Sequence, residues 1–153
     1  MALQVSIDAK TEFEPVTEMI QPGVIADVVD KGLVPNKFKP GTMQHKCYFV
    51  WIVAEEDSEG RPKRVFESFT VSLNEKSRLR ARLKELGYKD FEPGKPFELD
   101  SLIGTQRMLV LAAEDGENGK TYIKITATMA LKKGQQPVKV PADFIRKQDQ
   151  PAQ

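Results

Sequence analysis

Cations and aromatic rings alternate along three stretches of the 153-residue chain: Lys46, Tyr48 and Trp51; Arg64, Phe66 and Phe69; Lys120, Tyr122 and Lys124. A fourth ring, Phe38, stands between Lys37 and Lys39. Single-stranded nucleic acid needs this mixture, because cations neutralise phosphates while flat rings stack on unpaired bases. Duplex readout would instead need a helix presenting polar side chains to base edges, and none stands out. The candidate nucleic-acid contacts are therefore Lys37, Phe38, Lys39, Lys46, Tyr48, Arg64, Phe66, Lys120, Tyr122 and Lys124. Phe49 and Trp51 share strand parity with Cys47 and Val53, and Phe69 alternates with Val65 and Val71, so these three rings are assigned to the core. Arg78, Arg80 and Arg82 are assigned to a solvated helix face.

Residues for catalysis are scarce. A hydrolytic or transfer site needs a poised base, a nucleophile or a metal held by several ligands. The only histidine, His45, forms His45-x-Cys47 with the only cysteine, two soft ligands with no second pair in the chain. Gly41, Gly60, Gly94 and Gly134 each adjoin turn formers, and no glycine-rich phosphate cradle appears. The expectation is a non-enzymatic protein with no cofactor and no metal.

The elements that must position the rings centre on residues 64–87, RVFESFTVSLNEKSRLRARLKELG. Val65, Glu67, Phe69, Val71 and Leu73 alternate with Phe66, Ser68, Thr70 and Ser72, a strand pattern. Ser72 and Glu75 have capping-box spacing, with Asn74 as the rival cap. Leu79, Leu83 and Leu86 then form a helical stripe that Gly87 terminates.

Upstream, Pro22-Gly23 signals a turn, 24–29 a short strand, and Asp30-Lys31-Gly32 its close. Residues 31–46 hold two prolines, two glycines and four lysines, and read as a long mobile basic loop. Residues 47–54, CYFVWIVA, are apolar on both faces and read as a central strand. Downstream, Leu99 to Gly104 suggests one helical turn, 107–113 a strand, Asp115 to Gly119 a tight turn, and 120–131 the last strand.

Five strands with a helix between the third and fourth predict an all-β fold: a five-stranded, closed OB-fold-like barrel. A loop-rich β-roll or a small α+β sandwich fits the same string less specifically. The expected boundaries are an N-terminal arm at 1–22, the OB-fold domain at 23–131 and a basic flexible tail at 132–153.

Composition sets outer limits. Charged residues make up 29% and apolar residues 40%, and 23 basic side chains nearly balance 22 acidic ones, so overall charge points to no polyanionic partner. No apolar run approaches the roughly 20 residues of a membrane span. Met1 to Asp8 lacks the features of a secretory signal, and a lone cysteine fits a reducing compartment. The expected location is the cytoplasm.

Several phrases together resemble a known family. FEPV near the start, a Gly-led first strand, HKCYFVWIV, FTVSLNEKSRLRARL, LDSLIG, and NGKTYIKI before a Lys-Gly ending are similar to small bacteriophage and prophage single-stranded DNA-binding proteins of OB fold. The resemblance spans roughly residues 10 to 135, and SLNEKSRLRARL and the LIG…NGKTYIKI pair are its most specific parts. It implies a protein that coats single-stranded DNA, without sequence preference, during phage-type replication or recombination in the host cytoplasm. It carries no catalytic residue. One departure stands out: bacterial single-strand binders often end in an acidic recruiting peptide, whereas this chain ends KKGQQPVKVPADFIRKQDQPAQ.

The expected partner is thus single-stranded DNA, with single-stranded RNA satisfying the same chemistry. Replication or recombination proteins and further copies of the chain are compatible additional partners. The alternative is a phage structural or protein-interaction module using the same barrel without nucleic acid.

Overall fold

The computed structural model describes residues 14–89, 91, 96–116, 119 and 121–150. The chain order is β1 (Ile20–Pro35), β2 (Met43–Glu56), β3 (Pro62–Thr70), α1 (Arg78–Glu85), β4 (Gln106–Asp115) and β5 (Thr121–Met129), with short 3-10 turns at Leu99–Leu102 and Lys147–Asp149. All strand pairs are antiparallel, in the order β3-β2-β1-β4-β5. The expected all-β architecture is present, with its one helix between the third and fourth strands.

β1 is much longer than the expected 24–29 strand because it serves two neighbours. Residues 20–24 pair with β4 and residues 23–35 with β2. Two bulges let it bend between them, one between Ile25 and Asp27 and one between Asp30 and Gly32. The turn chemistry of Asp30-Lys31-Gly32 is real, but it makes the second bulge: Asp30 Oδ1 accepts the Gly32 N–H at 2.7 Å and Gly32 has φ 73°. Pro22-Gly23 likewise lies inside the strand. A Cβ on Gly23 would stand 2.8 Å from Leu109 Cδ1, so the glycine permits the close approach of β4.

Inward-facing residues of β2 and β3 build the core. Phe49, Trp51 and Phe69 are buried as expected, and the Phe49 and Phe69 rings tilt against each other at 4.9 Å. Leu79 and Leu83 of α1 and Leu102 complete the same cluster. The helix begins later than the capping-box spacing predicts. Ser77 is the N-cap, accepting Arg80 N–H at 3.0 Å and donating to the Ser72 carbonyl at 2.7 Å, so residues 72–77 form an irregular lead-in. The far end closes as a Schellman motif around Gly87 (φ 104°), with Gly87 N donating to Lys84 O and Tyr88 N to Leu83 O.

The barrel is not closed by a backbone ladder. β3 and β5 are the two sheet edges, and a guanidinium from α1 stands between them. Arg82 donates to Glu67 Oε2 on β3 at 2.9 and 2.7 Å and to the Ile125 carbonyl on β5 at 3.1 Å. Paired strands sit about 4.8 Å apart, too close for an interposed side chain. Glu67 also accepts the Trp51 Nε1–H at 3.3 Å, and burial pushes its carboxyl up while Arg82 and Trp51 oppose that shift. Glu85 extends the seam by accepting from Arg82 Nη1 and from the Thr128 backbone N–H.

Both flanking segments hold to the barrel. Glu55 accepts the Thr17 and Glu18 backbone N–H groups and pairs with Lys63, pinning the segment before β1. Burial would raise the Glu55 carboxyl, but these donors outweigh it and hold it down at about 2. After β5 the chain turns back over the outer face of the sheet, where a solvated tail was expected. Val138 and Phe144 pack on Val24, Ala26 and Ile52. No helix among the described residues is long and apolar enough to cross a membrane.

The seam makes a direct prediction. Arg82→Ala leaves Glu67 buried without its cation, which costs about 3–5 kcal/mol for a pair of this kind. Chemical denaturation should show that loss, and a variant within about 1 kcal/mol of the parent would remove Arg82 from this role.

Candidate nucleic-acid interface

Strand parity and register bring four of the ten candidates together. Across β2 and β3 the outward pairs are Lys46↔Thr70, Tyr48↔Ser68, Val50↔Phe66 and Ile52↔Arg64. Lys46, Tyr48, Arg64 and Phe66 therefore share one face, while Cys47, Phe49, Trp51, Val65, Glu67 and Phe69 point inward. The Tyr48 and Phe66 rings meet edge-on, centroids 6.1 Å apart. Phe66 is 43% exposed. Burial first, then the Asp27 carboxylate, pushes the Tyr48 phenol up, so it stays protonated at neutral pH.

Lys37, Phe38 and Lys39 lie at the tip of the hairpin that β1 and β2 make. The basic loop expected at 31–46 shrinks to 36–42, because β1 and β2 stay paired out to Pro35↔Met43. The tip is stitched rather than loose. Asn36 Oδ1 accepts the Phe38 N–H at 2.9 Å, Asn36 N donates to Thr42 O at 2.9 Å, and Thr42 Oγ1 donates to Lys39 O at 2.7 Å. This Asx-type turn displays Phe38 at 92% exposure. A ring held outward on an ordered turn loses less conformational freedom on binding than one on a floppy loop.

The β5 candidates are placed differently. Tyr122 is 50% exposed and faces away from Ile123 and Ile125, as its alternation predicts. Yet β1 and β4 separate β5 from β2 along the sheet, and β5 meets β3 only across the seam. Lys124 Nζ forms a 2.6 Å ion pair with Glu114 on β4. Strands two, three and five thus do not make one continuous ladder-bonded platform. Lys120 lies outside the described residues.

His45 and Cys47 lie two residues apart on β2. Cys47 is buried, and burial, followed by the Asp30 carboxylate against the opposing Lys46, pushes its thiol up to about 11. His45 Nε2 sits 2.6 Å from Asp30 Oδ1. Among the described residues no group of three or more His, Cys, Asp or Glu gathers as a metal would require.

The feature that the sequence hid is the strap at 138–147. Gln106 clamps Val138 by both amide atoms, Nε2 to the carbonyl at 2.8 Å and Oε1 from the N–H at 3.0 Å. Arg64 lies 5.2 Å over the Phe144 ring. Asp27, buried at the first bulge of β1, accepts Arg146 Nε and Lys147 N, each at 2.8 Å. One end of the outer face is thereby covered, and Tyr48, Phe66 and Lys46 lie beyond the apolar residues on which Val138 and Phe144 rest. A signal was available: Val138, Val140, Phe144 and Ile145 are apolar residues recurring in a segment otherwise polar enough to stay solvated.

No family model matches the chain, and no curated protein matches it.

The strap's anchor is testable. Arg146→Ala removes the cation from the buried Asp27 and should raise the rate of tryptic cleavage at Lys139 by roughly tenfold, the effect of about 1.4 kcal/mol on the docked state. Unchanged resistance would mean that Gln106 and Phe144 hold the strap alone.

Proposed function

We propose that this protein binds single-stranded DNA without sequence preference, by stacking and phosphate neutralisation, as an auxiliary of phage-type replication or recombination. The observation that carries the reading is the outward display of Phe38 between Lys37 and Lys39, on a hairpin whose strand β2 continues into the half-buried Lys46 and Tyr48, beside the exposed Phe66 of β3. An exposed phenylalanine on an ordered turn contributes nothing to the core and has hydration to lose, whereas a base stacked on it removes that surface from water. The lysines on either side place cations where the flanking phosphates of the same strand would run. Phrase-level similarity to phage single-strand binders supports the biological setting.

The experiment is fluorescence anisotropy of labelled oligo-dT over a salt series, with oligo-U and duplex DNA as comparators. Saturable binding should favour single strands, with a log–log salt slope near −3 if about four phosphates are neutralised. Phe38→Ala and Tyr48→Ala should each weaken binding by about 1–3 kcal/mol, the worth of one stacked base. No saturable binding at low salt, or equal affinity for duplex, would count decisively against the proposal. A tight self-assembly indifferent to oligonucleotide would point instead to an interaction module.

A further inference from the structure

The open seam between β3 and β5 has a shape and a charge that the outer face of β2 and β3 leads into. A cleft of about 410 Å³ lies along it, with Phe69 and Ile125 as apolar lining and Arg78, Lys124 and Thr126 among its walls. Arg82 and Glu85, also in the lining, are spent on each other and on the two strand edges. Arg78 is held at the β3 edge more loosely. Among the described residues its guanidinium donates one hydrogen bond, a long one of 3.3 Å to the Ser68 carbonyl, and lies 5.4 Å over the Phe69 ring. Ser68 is the register partner of Tyr48, so Arg78 meets the β3 backbone at the level of the stacking face.

On the opposite side of that face the strap blocks the way. Phe144 and Val138 cover Val24, Ala26 and Ile52, and the next cation of the strap, Arg146, is already paired with the buried Asp27. A strand that enters at the hairpin tip and crosses Tyr48 and Phe66 away from the strap is led toward the seam cleft. Lys124 lies on the far wall, where among the described residues it forms an exposed ion pair with Glu114 of the kind that contributes little.

We infer that the seam cleft is a phosphate-binding continuation of the single-strand track, with Arg78 as a nucleic-acid contact and Lys124 as its partner across the gap. The inference rests on the proposed single-strand function and adds the route. Arg78 is well suited to this role. Its planar fork gives bidentate, charge-assisted hydrogen bonds to phosphate, and it lies 5.4 Å over the Phe69 ring. The same path brings Tyr122, two residues from Lys124, within the reach of a strand that leaves the seam, which accounts for the β5 candidates without a continuous ladder.

The test uses the full chain and labelled oligo-dT. Arg78→Ala should weaken binding about fivefold and flatten the salt slope by ~0.7, the signature of one lost phosphate contact. Lys139→Ala, on the strap, should change neither, and benzoylphenylalanine placed at the exposed Ala81 should cross-link the oligonucleotide while the same group at Lys139 should not. Unchanged affinity and slope in Arg78→Ala, with cross-linking on the strap instead of at Ala81, would overturn the route while leaving single-strand binding intact. Failure of the parent protein to bind any oligonucleotide would instead sink the functional proposal itself.

Discussion

A carboxylate on the inward face of a strand needs a partner, since burying an unpaired charge costs more than a small domain's whole stability margin. Glu67 is that carboxylate, lying between Val65 and Phe69 on β3. Its partner, Arg82, comes from the helix that follows. The pair fixes α1 against the sheet, fills the gap between β3 and β5, and passes one hydrogen bond to the Ile125 carbonyl on the far edge. The two outer strands are thus held by side chains where a closed barrel would use backbone. Arg78 and Glu85 serve the same edges, Arg78 at the Ser68 carbonyl and Glu85 at the Thr128 N–H. An unprotected strand edge invites pairing with another chain, and here the helix occupies part of both.

This arrangement shapes the surface that remains. With the interior given to Phe49, Trp51, Phe69 and the helix leucines, the exposed rings are Phe38 at the β1–β2 tip, Phe66 on the outside of β3 and Tyr122 on β5, with Tyr48 half-buried beside Phe66. The strap takes one end of the outer face and the seam borders the other. What lies between is a short platform carrying Tyr48, Phe66 and Lys46, approached over Phe38.

Much of the fold was legible because parity carries it. The 47–54 run is apolar on both faces and became the strand paired on both sides, and the Leu79, Leu83 and Gly87 pattern became the helix and its stop. Local signals failed where tertiary pairing overrode them. Pro22-Gly23 and Asp30-Lys31-Gly32 carry turn chemistry, yet β1 passes through both because β4 and β2 each supply a ladder, and the turn residues become a close approach and a bulge. Ser72 lost the cap to Ser77, whose hydroxyl reaches both the helix and the lead-in. Of the candidate site, the β2–β3 members followed from alternation alone. The helix arginines assigned to a solvated face did not: Arg82 is buried, and its pairing with Glu67 could have been anticipated only by asking what answers an acid at an inward position. The strap was hidden because its anchors are distant in sequence, 32 residues apart between Gln106 and Val138 and 119 between Asp27 and Arg146.

The central claim is that single strands run along the platform between the strap and the helix. Amide hydrogen exchange of the full chain with and without oligo-dT tests it most directly. The account predicts slowed exchange at the 36–42 tip, along 66–70 of β3 and at the start of α1, with the 138–147 strap unaffected. Protection concentrated on the strap or on β4, with the tip and β3 unchanged, would contradict it.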